Sequence, residues 1–251
     1  MTMNPMLSPS PLPSPRPASL PLVQATDQQH WAVCGWTGTG KTTWTKRLIN
    51  QLVHMFNLPV YILDSKDSRD DFAKWPLVSY DEVGPVYRGN WPSHYRAGRR
   101  SYPLKWPIVI WKPPEDDLLQ YDAWLHGILK ARQRAIVVID EVSSLGKNKP
   151  DSFVPGLIKL MKQGRGLHIP MIIETQEACF LPRQILGQST HYIRFQLKNR
   201  EDNTKLDNLL APAYPIEDPF GFNYYVSRVG YGLMGPWYYK DHAEFFLPRA
   251  A

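Results

Sequence analysis

Gly35-Trp36-Thr37-Gly38-Thr39-Gly40-Lys41-Thr42-Thr43 satisfies the pattern G-x-x-x-x-G-K-[ST], and its flanks are what that pattern needs. Before it runs Trp31-Ala32-Val33-Cys34, apolar enough for a buried strand. After it, Trp44 to Phe56 carries Leu48, Ile49, Leu52, Val53 and Phe56 at the spacing of one helical face. Strand, glycine-rich turn and helix start aim successive backbone N–H groups and the positive end of a helix dipole at a polyphosphate. The reading predicts a cradle for a nucleotide, with Lys41 on the β- and γ-phosphates and the Thr42 hydroxyl on Mg2+.

Working outward, the chain alternates apolar runs with helical periodicity. Pro59 to Asp64, Pro107 to Trp111, Ala135 to Ile139, Pro170 to Gln176 and Tyr192 to Leu197 read as strands. Asp116 to Arg132, Phe153 to Gln163 and a short Leu181–Leu186 segment read as helices. Continuous β-branched strands separated by helices predict an α/β fold with a mostly parallel central sheet covered on both faces. Tyr224 and Trp237, in aromatic runs flanking Gly230 to Gly235, predict an added C-terminal antiparallel hairpin.

A nucleotide loop needs a metal partner and, for hydrolysis, a polarised water. Ile136-Val137-Val138-Ile139-Asp140-Glu141 offers both where open α/β sheets bind ligands, at a strand's C-terminal end. Asp140 is the candidate for the Mg2+ shell and Glu141 for orienting or deprotonating the water. Adjacent Asp and Glu favour ATP hydrolysis. Small-molecule kinases need no water-activating Glu. Gln176, ending a strand beside the acidic pair, is a candidate sensor of the γ-phosphate. Arg165, at the entrance of that strand, faces away from its own nucleotide and is the candidate to reach a neighbour's site; Arg194 and Arg200, by the next strand, are its rivals.

Size and composition bound these readings. The 251 residues, 43% hydrophobic and 12% aromatic, suit one large α/β domain. We expect a single domain over 26–251, with an insert at about 68–106 and an aromatic extension at about 212–251. Residues 1–25 are Pro/Ser-rich and read as an extended tail, either docked on a capsid or membrane protein or without a partner. No run nears the about 18 apolar residues of a membrane span, and Met1 to Pro21 lacks a signal-peptide pattern. Cys34 and Cys179, both in apolar stretches, read as small buried residues of a reducing compartment. A net charge of +6 is compatible with nucleic acid. Within the insert, Arg96, Arg99 and Arg100 stand among Trp91, Tyr95, Tyr102 and Trp106, a mixture able to follow a phosphate backbone.

These pieces, in order, resemble the FtsK–HerA superfamily of DNA-pumping ATPases. More narrowly they resemble the genome-packaging ATPases of membrane-containing icosahedral viruses. Four segments carry the likeness: Gly35–Thr42, Val60–Lys66, Ile136–Glu141, and Lys162–Gln176 continuing to Phe195. The most telling is Gly164-Arg165-Gly166, then an apolar strand ending Thr175-Gln176. The resemblance implies a ring, usually a hexamer, that moves double-stranded DNA through its centre using ATP held between subunits. By position it assigns phosphate and metal to Lys41 and Thr42, metal and water to Asp140 and Glu141, and nucleotide sensing to Gln176. Glu174 departs from the small residue common before Thr-Gln in that group. The absence of a membrane anchor or appended DNA-reading domain favours viral packaging in a host cytoplasm, in association with the virion. The competing readings are a small-molecule phosphate-loop kinase and a phage assembly or secretion ATPase acting on protein.

Overall fold

The computed structural model describes residues 27–65, 77–78, 94–97, 100–103, 108–111, 118–146, 153–210, 223–228 and 232–238. The Pro/Ser-rich tail, Arg99, and the intervening parts of the insert and C-terminal extension lie outside these residues. The first strand, β1 (His30–Cys34), is buried along its whole length, as an apolar run without polar alternation demands. It feeds the phosphate loop and α1 (Lys41–Phe56). That helix ends where Asn57 turns into the left-handed region at φ 51° and its N–H bonds the Val53 carbonyl. Next come β2 (Val60–Asp64), the two-residue β3 (Leu77–Val78), and a separate ribbon of β4 (His94–Ala97) with β5 (Arg100–Pro103). Then follow β6 (Ile108–Trp111), α2 (Leu118–Ala131), β7 (Ile136–Asp140), α3 (Pro155–Gln163), β8 (Met171–Thr175), α4 (Arg183–Leu186), β9 (His191–Phe195) and α5 (Arg200–Leu210). The hairpin β10 (Asn223–Arg228) and β11 (Gly232–Tyr238) comes last.

The main sheet has the order β11-β10-β9-β1-β8-β7-β2-β6-β3. Its centre is six parallel strands, β9 to β6 in that order, each paired in parallel with its neighbours there. The hairpin adds to β9 in the antiparallel sense, so the expected C-terminal appendage is present. The chain passes from β1 to β2 across two strand positions that β8 and β7 later fill. This leaves β8 between the strand that feeds the phosphate loop and the strand that ends in Asp140.

Alternation sorts the strand residues onto two faces. One face, with Val33, Ile62, Val138, Ile172 and Ile193, packs on Leu48, Ile49 and Leu52 of α1. The other, with Leu63, Val137, Ile139 and Ile173, packs on Leu125 of α2 and Leu157 and Leu160 of α3. There Trp111 stacks on Trp124 with ring centroids 5.3 Å apart and meets Tyr121 edge-on at 5.9 Å. Among the described residues no helix is long and apolar enough to cross a membrane.

The insert carries strands that the sequence reading did not predict. Its β3 extends the sheet edge, and β4–β5 pairs Tyr95 with Tyr102 and Arg96 with Ser101. The sequence reading also missed α5. The helix REDNTKLDNLL is mostly polar, and Asp202 and Leu206 are its buried residues among those whose burial is described. So short an apolar stripe gives no clear period.

Candidate nucleotide site

The phosphate loop is stitched to the two strands beside β1. Gly35 N–H donates to the Thr175 carbonyl at 3.1 Å and Trp36 N–H to the Gln196 carbonyl at 2.8 Å. Gly35 must be glycine here, since a Cβ would lie 2.5 Å from the Phe195 Cβ. Gly40 begins α1 at φ 95°, a left-handed angle that glycine adopts without strain. Lys41 is only 5% exposed, and its Nζ donates to the Trp36 carbonyl at 3.1 Å, folded back over its own loop. Trp36 itself is 38% exposed at the mouth of the loop, with the Lys198 ammonium 4.4 Å from its ring centre.

The acidic pair stands at the same edge of the sheet. Glu141 lies just beyond β7 at φ 52°, a backbone region costly for a residue with a Cβ. Its Oε1 accepts from Ser143 Oγ at 2.5 Å, Thr175 Oγ1 at 3.1 Å and the Gln176 N–H at 3.2 Å. Gln176 is the link to the phosphate loop, because its Oε1 accepts from Thr37 Oγ1 at 2.5 Å. The structure therefore brings Thr37, Gln176 and Glu141 into one hydrogen-bonded chain beside Lys41. This is the juxtaposition that the sequence reading needed.

Asp140 and Glu174 are both fully buried. They stand side by side, each one residue past the paired Ile139 and Ile173. Asp64 pairs with Asp140 on the far side. By alternation all three carboxylates share the α1 face, where Val138 and Ile172 already point. Thr42 Oγ1 donates to Glu174 Oε2 at 3.1 Å. Glu174 is thus a site residue that motif reading noted only as a departure; what joins it to Thr42 is strand register, which spacing along the chain does not reveal. A hydroxyl and carboxylates are the hard oxygen donors that Mg2+ prefers. Among the described residues no group of three or more His, Cys, Asp or Glu side chains is placed to hold a metal by itself.

The arginines separate. Arg165 lies in a 3-10 turn, Gly164–Leu167, at the entrance edge of the sheet, and its Nε donates to the Gln28 carbonyl at 3.2 Å. It is at the opposite end of β8 from Gln176, as expected. Arg194 lies inside β9, buried, with its guanidinium bound to Asp207 and Asn203 of α5. Those bonds commit it to holding its own helix. Arg200 opens α5. Arg96 sits on β4 and Arg100 on β5, and Arg99 is outside the described residues.

A basic cleft that sequence reading missed lies near Arg165. It encloses about 660 Å3 and is lined by His126, Lys130 and Arg132 from the end of α2, and by Lys159 and Lys162 of α3. Among the described residues none of these four Lys and Arg side chains is in an ion pair. The two helix ends contribute about half a negative charge each, well short of cancelling four cations.

Both thiols are free. Burial pushes Cys34, directly before the loop, up to about 12, and burial with the nearby Asp202 carboxylate pushes Cys179 up to about 12. Cys179 is only partly buried, unlike the expectation for it, but neither thiol has the thiolate character of a nucleophile.

The profile of the family described as AAA domain matches residues 24–177, more than half of the chain. The chain belongs to the AAA domain family. No curated protein matches its sequence. Among solved structures, this AAA domain protein is similar to the DNA-packaging ATPase B204 from Sulfolobus Turreted Icosahedral Virus. That match has a TM-score of 0.63 at 14% identity and covers 85% of this chain and 100% of the other. The genome packaging NTPase B204 from Sulfolobus turreted icosahedral virus 2, in complex with AMPPCP, gives 0.64 at 12%, covering 84% and 98%. EssC (ATPases 2 and 3) from Geobacillus thermodenitrificans gives 0.56 at 13%, covering 84% of this chain and 39% of that one. At such identities the matches establish a shared phosphate-loop NTPase fold. This AAA protein is a P-loop ATPase similar in fold to a viral genome-packaging NTPase.

Proposed function

We propose that the protein is an ATP-hydrolysing motor that moves double-stranded DNA and packages a viral genome into a preformed capsid. The observation that carries the reading is the hydrogen-bonded chain from Thr37 through Gln176 to Glu141. It ties the nucleotide loop to a carboxylate able to orient water. On ATP binding, Lys41 exchanges the Trp36 carbonyl for the β- and γ-phosphates. The Thr42 hydroxyl and the Asp140 carboxylate would hold Mg2+, which when bound would supply charge neutralisation to the phosphates. Glu141 orients the attacking water. Gln176, bonded to both sides, registers the loss of the γ-phosphate. Arg165, far from its own nucleotide, completes the site of a neighbouring copy in a ring, as trans-acting arginines do in other phosphoryl-transfer enzymes.

Support for DNA as the cargo comes from the fold shared with B204, a DNA-packaging ATPase, and from the basic cleft at the sheet edge away from the nucleotide. Cations on two walls of a concave surface suit a phosphate backbone and carry no base preference. We place the activity in a host cytoplasm and at the virion. The test is displacement of a third strand from a DNA duplex. The motor reading predicts displacement that requires ATP, ignores duplex sequence and weakens steeply with salt. ATP-dependent phosphate transfer to a small acceptor, with no displacement, would indicate the kinase reading instead.

A further inference from the structure

Thr42 is the second residue of α1, and a threonine hydroxyl in a helix has two accessible rotamers because it can bond back to a carbonyl three or four residues earlier. For Thr42 that alternative lies in the phosphate loop itself. In this chain the choice is made by Glu174. Its Oε2 accepts the Thr42 Oγ1 proton at 3.1 Å, from a carboxylate with no exposed surface, on a strand fixed in register with β1 at Val33 and next to Asp140. A hydroxyl that gives its proton to a rigid carboxylate turns its remaining lone pairs elsewhere and becomes a better donor to a cation. Partners behind a metal ligand act in this way, and losing them typically costs about 10–100-fold in metal affinity.

We infer that Glu174 is the positioning residue of the Thr42 hydroxyl: a carboxylate supplied by β8 sets the oxygen that serves the nucleotide's divalent cation. The inference rests on the reading of residues 35–43 as a nucleotide site and assigns to Glu174 a role that the motifs leave open. A carboxylate kept only as a core residue would influence folding but would not separate metal-dependent from metal-free nucleotide binding.

The experiment measures binding of a fluorescent ATP analogue to the full chain, with and without Mg2+, and follows Mn2+ uptake in the presence of the analogue by electron paramagnetic resonance. Glu174→Ala should bind the analogue within about twofold of wild type without metal, while the Mg2+ concentration for half-maximal effect rises about 10–100-fold. Glu174→Gln, which keeps the shape and an acceptor but not the charge, should fall between the two and covers the case in which the alanine variant does not fold. In a Thr42→Val background the same Glu174 substitutions should change the Mg2+ requirement no further, because the oxygen they position is gone. Equal losses with and without metal, or a full additional loss in the Thr42→Val background, would overturn the inference. Wild-type protein whose analogue binding ignores Mg2+ would overturn the inference and the metal part of the nucleotide reading together. Wild-type protein that binds no analogue at all would remove that reading at its root.

Discussion

At φ 52°, Glu141 holds a backbone angle that costs a residue with a side chain about 1–3 kcal/mol, and its neighbours keep it there. Ser65 Oγ donates to the Asp140 carbonyl at 2.6 Å, Ser144 N–H to the Glu141 carbonyl at 3.1 Å, and three donors hold one carboxylate oxygen. The bend turns the carboxylate toward the tip of β8 and the phosphate loop. Glu141→Gln retains an acceptor for those donors, so the fold should survive while the base is lost. ATP should stay bound and uncleaved, with the single-turnover rate down by about 10²–10⁴. Rapid-quench analysis of bound nucleotide checks this, and wild-type cleavage would strip Glu141 of its role. The residues of the loop and the acidic pair were legible in the sequence because their chemistry fixes their spacing along the chain. The bonds between Thr37 and Gln176, and between Thr42 and Glu174, were not. They join residues more than a hundred positions apart, and only strand order brings those residues together.

At the scale of elements, the entrance of β1 shows how a buried polar group becomes a pH sensitivity. His30 has no exposed surface. Its Nδ1 accepts from the Met171 N–H at 3.1 Å, which leaves the proton on Nε2 to bond the Met161 carbonyl at 3.0 Å. Burial holds the imidazole down at about 4, against an ordinary value of 6.5. Below pH 6.5 the unfolded chain takes up a proton that the folded chain refuses until about pH 4. Stability from this group is therefore complete above that window and is lost as pH falls through it, by about 3 kcal/mol in total at about 1.4 kcal/mol per pH unit. Urea unfolding at stepped pH should show the decline in wild type and a flatter curve in a His30→Gln variant of lower overall stability. Equal slopes for the two would contradict it. The central strands were legible as elements because burial on both faces leaves an unbroken apolar run. The helix α5 and the strands β3 to β5 were not. Their polar or Gly/Pro-rich sequences carry little periodicity, and pairing partners define them more than residue type does.

Across the whole molecule, the parallel sheet separates two kinds of site by its two edges. The strand ends gather Lys41, Thr42, Asp140, Glu141, Glu174 and Gln176, while the strand entrances carry Arg165 and, on the α2–α3 face, the basic cleft. A protomer arranged in this way presents its arginine away from its own nucleotide, and a closed ring lets one copy's entrance edge meet the next copy's nucleotide edge. The parallel-sheet fold followed from the sequence, whereas the full order of its strands and the basic cleft did not: strand order joins residues far apart in the chain, and Lys130 and Arg132 come within reach of Lys159 and Lys162 only when α2 packs on α3. The central claim is that one subunit's loop and acidic pair hydrolyse ATP with help from a neighbour and from DNA. The most direct measurement is the ATPase rate per subunit across a wide range of protein concentration, with and without double-stranded DNA. The account predicts a rate that rises with concentration to a plateau and is raised further by DNA. A rate per subunit independent of both concentration and DNA would contradict it.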